Sequence, residues 1–292
     1  MGTKKPTQVE RFLNEMAAIV ITGASSGIGE SLIKTIMKLG YRGTICNLSR
    51  TNPTFFTEKN HFHLSCDLSD PQSLANAAES VHKILTAQDH NGRILLINNS
   101  GFGAYGPFNE LERERQTQLI DLNIRAMVDL THRLLPLLLD KGGVIVNIAS
   151  IAGFQPTPIL ATYGASKSFV LDWTLALGED LRNTGVKTLA VCPGPTSTAF
   201  FRNAGFGDSR LDVPGQTADA VAGETLVALA KGKRLVITGW RNRWLVRLSR
   251  CVPLPLLTRI SGSVLRRLRN SVDPESRANE SEVATKREEE GL

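Results

Sequence analysis

The hydrophobic positions of this chain fall into short unbroken runs, separated by longer stretches of helical periodicity. Residues 17–21 (Ala-Ala-Ile-Val-Ile) make the first run and stop at Thr22-Gly23, which predicts a strand buried on both faces. Residues 30–39 follow with apolar side chains at 32, 33, 36 and 37, a helical stripe closed by Gly40. The alternation then repeats. Strands are predicted over 44–48, 61–66, 94–97, 144–148, 187–192 and 235–238, and helices over 69–87, 111–139 and 163–182. Ser69-Asp70-Pro71 supplies the start signal for the helix over 69–87, with Pro early in the first turn. Strands alternating with helices predict an α/β fold: a seven-stranded parallel sheet with helices on both faces, reached by right-handed crossovers.

Composition adds bounds to this picture. With 292 residues and 41% hydrophobic side chains, the chain can build one large domain, expected over residues 1–240. The first ten residues are polar and no apolar h-region follows, so no secretory signal is expected. No run of roughly 20 apolar residues occurs, so no transmembrane helix is expected either. Cys46, Cys66, Cys192 and Cys251 form no CxxC pair and no metal spacing with His, which predicts free thiols in a reducing cytoplasm and no metal site.

The net charge of +6 is unevenly placed. Residues 225–272 hold 11 Lys and Arg and no acid, so the rest of the chain carries −5. Within 241–251, Arg243, Arg247 and Arg250 share one helical face, and Trp244, Leu245 and Leu248 another. After Pro253 and Pro255, Ile260, Val264, Leu265 and Leu268 repeat the pattern among Arg259, Arg266, Arg267 and Arg269. Residues 241–272 therefore read as a basic amphipathic extension, either packed over a substrate cleft with its arginines solvated or lying on an anionic membrane surface through 241–269. Nucleic acid is not an expected partner. Residues 273–292 are rich in Glu, Lys, Arg and Ser and read as a disordered tail.

Candidate chemistry begins at Thr22-Gly23-Ala24-Ser25-Ser26-Gly27-Ile28-Gly29, between the first strand and the first helix. In that setting Gly23 permits a tight turn, Gly27 lets the backbone approach a pyrophosphate, and Gly29 lets helix and strand pack closely. The helix N-terminus then offers free N–H groups to phosphate. The second strand ends Asn47-Leu48-Ser49-Arg50, without the carboxylate that would bind a ribose 2′-hydroxyl. Ser49 and Arg50 instead suit a 2′-phosphate, so NADP(H) is expected over NAD(H). Tyr163 and Lys167 are i,i+4 neighbours on one helical face, where an ammonium would lower a phenol pKa from about 10. Ser150 lies just past the end of a strand, where side chains face a ligand crevice, and Asn123 sits in the predicted long helix despite its mediocre helix propensity.

These residues resemble the short-chain dehydrogenase/reductase family in its single-domain form. The matching motifs are Thr22–Gly29, Asn98-Asn99-Ser100-Gly101, Asn123, Ser150, Tyr163-x-x-x-Lys167 and Pro193-Gly194, in the family's order over about residues 17–240. The resemblance implies a single Rossmann-type domain, a homo-oligomer, and hydride transfer between a nicotinamide and a carbonyl or alcohol carbon. Tyr163 would be the general acid, Ser150 would polarise the carbonyl oxygen, Lys167 would bind the nicotinamide ribose, and Asn123 would position a relay water. By the same resemblance Asp67 and Leu68 would lie beside adenine, Asn99 near the cofactor, and Pro193, Gly194, Thr196 and Thr198 would hold the carboxamide. Two departures stand out: Ser100 replaces the family's usual Ala, and the glycine loop lacks the Lys or Arg common in NADP enzymes.

Phe154, Pro156 and Ile159 on one side, and Phe200, Phe201 and Phe206 on the other, are candidates to line the substrate site. An apolar lining points to a lipophilic aldehyde, ketone or 3-oxoacyl group as the substrate. Two rival readings stay open: an alcohol dehydrogenase running in the oxidative direction, and a catalytically silent NADP-binding regulator.

Overall fold

The computed structural model of the chain describes residues 5–87, 92–198, 200, 204 and 215–272, with side chains to residue 267. Nine strands form there: β1 (Met16–Thr22), β2 (Thr44–Ser49), β3 (His61–Ser65), β4 (Arg93–Asn98), β5 (Gly143–Ile148), β6 (Val186–Cys192), β7 (Thr196–Ser197), β8 (Gln216–Thr217) and β9 (Leu235–Ile237). Seven of them make one parallel sheet in the order β3-β2-β1-β4-β5-β6-β9. This is a Rossmann fold, as expected. The short β7–β8 pair lies outside that sheet and has no counterpart among the predicted strands, because two residues carry no periodicity.

The unbroken apolar runs are explained by cover on both faces of the sheet. Ile19 and Ile21 of β1 point to one side, where they meet Leu32, Ile33 and Ile36 of α2 (Gly27–Lys38). Ala18 and Val20 point to the other, toward Leu74, Val81 and Leu85 of α3 (Pro71–Ala87). Asp70 caps α3 by accepting from the N–H groups of Gln72 and Ser73 at 3.1 and 3.2 Å, ahead of Pro71 at the first helical position. A helix absent from the sequence prediction, α1 (Gln8–Asn14), precedes β1. Thr7 and Glu10 form a reciprocal capping box for it, and Phe12 and Leu13 tuck under the sheet.

The predicted helix over 111–139 is not continuous. It divides into α4 (Arg113–Ile120), a π turn (Asp121–Arg125) and α5 (Ala126–Lys141). A π turn inserts one residue into the helical register, which periodicity alone does not register, and such insertions concentrate at functional sites. Asn123 is at its centre.

The remaining helices are α6 (Ala161–Asp180), α7 (Ala218–Ala230), α8 (Trp240–Ser249) and α9 (Leu254–Val272). Pro253 lies between α8 and α9, as expected, whereas Pro255 falls in the first turn of α9, where a missing N–H costs no helical bond. One face of each C-terminal helix packs on the domain. α8 lies against the 3-10 turn Ile151–Phe154, while in α9 Ser261 donates to the Pro156 carbonyl at 3.0 Å. Of the four thiols, Cys46, Cys66 and Cys192 are buried and Cys251 is exposed. Residues 273–292, read above as a tail, lie outside the described residues.

Candidate active site

Strand order reverses between β1 and β4, which opens a crevice at their carboxyl ends. The glycine loop leaves β1 here. Gly23 and Gly27 adopt φ of +71° and +59°, the left-handed region that glycine occupies without strain. A Cβ on Gly29 would come within 2.3 Å of the Gly23 carbonyl oxygen and 2.5 Å of Asn99 Nδ2, so helix and loop touch through bare backbone. Asn99 pins the loop by donating from Nδ2 to the carbonyls of Thr22 and Gly23, both at 3.0 Å. Ser26 is the N-cap of α2 and makes no side-chain capping bond. With Ser25 it leads into N–H groups suited to phosphate, and Ile28 packs its side chain toward the core. These residues fit a dinucleotide pyrophosphate: the loop is pinned from outside, and any side chain at Gly29 would fill its cradle.

At the end of β2, Arg50 is exposed and Ser49 buried. The Ser49 hydroxyl donates to the Thr51 carbonyl at 2.7 Å and accepts from Asn47 Nδ2 at 2.8 Å. Asp67 follows β3; hydrogen bonds from Ser69 hold its carboxyl below the usual range, and the Arg50 guanidinium adds to the effect. Leu68 is buried against the helical side of the sheet.

The Tyr163–Lys167 face of α6 looks toward the carboxyl ends of β5 and β6. Ser150 accepts from Ala152 N–H at 3.1 Å and donates weakly to the Pro193 carbonyl at 3.5 Å. A hydrogen bond joins the Ser150 and Tyr163 side chains. Lys167 Nζ donates to the Ile148 carbonyl at 2.8 Å and lies 5.8 Å from the Tyr163 ring centre. Burial lowers the Lys167 pKa to about 8, with Cys192 opposing. The expected lowering of the Tyr163 pKa is not found. Burial pushes it up to about 12, and the Ser150 hydrogen bond pulls only partly back. The desolvation of a phenolate outweighs an ammonium whose own charge the same burial disfavours.

Asn123 Oδ1 accepts from Phe102 N–H at 3.1 Å, and its Nδ2 donates to the Phe102 carbonyl at 3.0 Å and to Ser166 Oγ at 3.1 Å. Both amide protons are committed, so the side chain locks the π turn to α6. A cavity of about 10 Å³ lies between Thr22, Asn98, Asn123 and Lys167, roughly the space of one water. Asn98 Oδ1, buried without a protein partner, belongs to a residue lining it.

Thr198 lies over the glycine loop, its methyl 3.3 Å from where a Gly27 Cβ would sit. Thr196 donates to the Gly194 carbonyl at 2.9 Å, and Gly194 abuts Asn242 of α8. The Phe200 ring lies 5.2 Å from that of Tyr163. Phe201 and Phe206, also expected at the cleft, fall outside the described residues. The site further uses side chains to which the sequence reading assigned no role. Thr22 Oγ1 accepts from Asn99 and Ser100 N–H at 2.9 and 3.0 Å, and Asn47 Oδ1 accepts from Ala24 N–H at 2.9 Å. An amide inside the apolar run of β2 was the available signal for Asn47, since buried polar groups require partners.

Residues 17–206 match the short chain dehydrogenase family over most of the domain just described. The chain belongs to that family. As a short chain dehydrogenase it is an NAD(P)(H)-dependent oxidoreductase acting on carbonyl or alcohol groups. It is 32% identical over 233 residues to the uncharacterized oxidoreductase YbbO of Escherichia coli (strain K12), covering 77% of this chain and 83% of that one. It is also 32% identical over 197 residues to the NADPH-dependent 3-dehydrocapnine reductase of Ornithobacterium rhinotracheale, covering 65% and 69%. Among solved structures, a short-chain dehydrogenase from Sphingobium yanoikuyae in complex with NADPH superposes with a TM-score of 0.68 at 27% identity, covering 81% of this chain and 94% of that one. Another short chain dehydrogenase, from Burkholderia phymatum, was solved with NAD at 22% identity and a TM-score of 0.69, covering 81% of this chain and 93% of that one. The fold therefore accommodates both dinucleotides.

Proposed function

We propose that this chain is an NADPH-dependent carbonyl reductase that converts a lipophilic aldehyde, ketone or 3-oxoacyl group to an alcohol, with Tyr163 as general acid. The observation that carries the reading is the grouping of Ser150, Tyr163 and Lys167 at the carboxyl end of β5, with Lys167 Nζ 5.8 Å from the Tyr163 ring centre and the Phe200 ring 5.2 Å away on the phenol. A protonated phenol in that place can give its proton to a developing alkoxide, the transfer that reduction requires. An intact acid with a polarising partner also argues against a silent regulator.

When bound, the nicotinamide supplies the hydride to the carbonyl carbon. Ser150 donates to the carbonyl oxygen and orients it toward Tyr163, which transfers its phenolic proton to that oxygen. Lys167 binds the ribose hydroxyls and passes a proton through them back to the Tyr163 phenolate. A water held near the π turn beside Asn123 links Lys167 to further proton donors. Gly23, Ser25, Ser26, Gly27, Ile28 and Gly29 receive the pyrophosphate, Asp67 and Leu68 border the adenine, and Asn99 steadies the loop. Pro193, Gly194, Thr196 and Thr198 hold the carboxamide.

The NADPH preference is supported by an exposed Arg50 and the lack of an acid at the end of β2. Ser49 contributes less, because its hydroxyl proton is already given to Thr51. Phe200 against Tyr163, with Tyr105, Ile159 and Leu160 packed nearby, supports an apolar substrate.

Loss of NADPH absorbance against a panel of aldehydes, ketones and acyl thioesters, with NADH in parallel, tests the reading. Turnover should favore NADPH, and Tyr163→Phe should lower kcat by about 100-fold or more while dinucleotide binding persists. Preference for NADH, or full activity in the Tyr163→Phe protein, would overturn it.

A further inference from the structure

The outer faces of α8 and α9 take no part in the chemistry of the cleft, and they are unlike the rest of the surface. Eight of the 13 large apolar side chains exposed among the described residues lie between residues 240 and 264. Trp240, Trp244 and Leu248 are spaced by four on α8, and Leu256, Ile260 and Val264 by four on α9, so each helix carries a continuous outward stripe. Arginines flank both stripes. Arg241 stacks on Trp240 with its guanidinium 5.4 Å from the ring centre, and Arg247 on Trp244 at 5.3 Å. Of the arginines from 241 to 267, only Arg243 forms an ion pair among the described residues, to Glu224 at 2.5 Å.

The opposite side of the same segment packs on the domain, against residues expected to line the substrate site. Arg250 lies over the Phe154 ring at 5.2 Å, Ser261 holds Pro156, and the Tyr105 hydroxyl donates to the Leu265 carbonyl at 3.1 Å. The packed face and the exposed apolar, arginine-edged face of this segment therefore lie on opposite sides of one structure.

We propose that the outer face of α8 and α9 docks on an anionic lipid bilayer and holds the mouth of the substrate cleft against it, so that a lipid-borne carbonyl passes directly into the site. Apolar stripes edged by cations, with tryptophans at the boundary, match the layered polarity of a bilayer interface. Anionic headgroups neutralise the arginines, each cation near such a surface adding to the attraction. A second copy of the chain is a poorer occupant. Symmetric pairing would bring these arginines together, and residues 225–272 contain no carboxylate to offset them. The inference rests on the lipophilic-substrate reading above.

The test uses the full chain with sedimenting vesicles of phosphatidylcholine, with or without about 30% phosphatidylglycerol, at low salt; the anionic vesicles should bind at least about 10-fold more protein. Bilayer-embedded bromolipids should quench the tryptophan emission. The triple variant Trp240→Ser, Trp244→Ser, Leu248→Ser should lose that binding while keeping its melting temperature and its turnover of a water-soluble short-chain aldehyde. A second triple variant, Leu256→Ser, Ile260→Ser, Val264→Ser, checks α9 independently.

Equal binding to neutral and anionic vesicles, or undiminished binding by both variants, would overturn the proposal. So would a lipid-free dimer that either variant converts to a monomer, since a second copy would then cover the face. Absence of aldehyde turnover in the unsubstituted chain counts against the reductase reading alone, because vesicle binding is read without catalysis.

Discussion

Lys167 is held inside the protein by a backbone carbonyl rather than by a carboxylate, which makes its charge costly. An unfolded chain keeps this proton to about 10.5, whereas the folded chain releases it near 8. Between those values the unfolded state binds more protons, so stability rises with pH, and this contribution is lost as pH falls through about 8. The raised groups act with the opposite sign: Cys46 and Cys192 from 9 toward about 12, and Tyr163 from 10 toward about 12, each favouring the fold at lower pH and losing that as pH rises. The unfolded thiols begin to ionise in the same window, from pH 8 to 9, so the Lys167 contribution is isolated by comparison with a variant that lacks the ammonium. Urea unfolding there should show the unsubstituted chain gaining up to about 1.4 kcal/mol per pH unit relative to Lys167→Met. Parallel pH dependence in the two proteins would show that Lys167 ionises normally. At this scale the sequence was a good guide to which residues meet, since Tyr163 and Lys167 are forced together by helical spacing. It was a poor guide to their proton affinities, because burial is a property of everything packed around them.

Among the elements, the joint between β1 and α2 leaves no room for a side chain at Gly29. A methyl on Gly29 would press on the Gly23 carbonyl and on Asn99, neither of which can move without breaking the bonds that pin the loop. Gly29→Ala should destabilise the chain by about 1–3 kcal/mol, and added NADP should no longer raise its Tm. A normal Tm rise with NADP would show that the loop can open. Strands and most helices were legible because runs and stripes of apolar residues follow directly from cover on one face or two. The π turn was not, since inserting a residue changes hydrogen-bond partners while leaving composition untouched. The same holds for β7 and β8, which pair two residues each over a separation no local pattern encodes.

Across the whole molecule, the C-terminal helices join the domain through a few specific contacts. Two hydrogen bonds tie α9 to the domain: Tyr105 donates to the Leu265 carbonyl, and Ser261 of α9 donates to the Pro156 carbonyl. Removing both with Tyr105→Phe and Ser261→Ala should cost about 1 kcal/mol each. Hydrogen exchange should then quicken over residues 254–265 while the strands of the central sheet keep their protection. Uniform loss of protection would mean that α9 and the sheet unfold as one unit.

The sequence by itself determined the alternation of strand and helix, the parallel sheet it implies, the glycine loop at the first turn, and the placing of Tyr163 and Lys167 on one helical face. Each follows from short-range rules of spacing, backbone freedom and side-chain chemistry. Only the tertiary structure decided that Lys167 is buried on a backbone carbonyl, that Asn123 is committed to a π turn, and that α8 and α9 pack one side on the domain and leave apolar stripes on the other. Those outcomes depend on what lies across space from each residue. Desolvation and packing are summed over neighbours that the chain brings together only by folding.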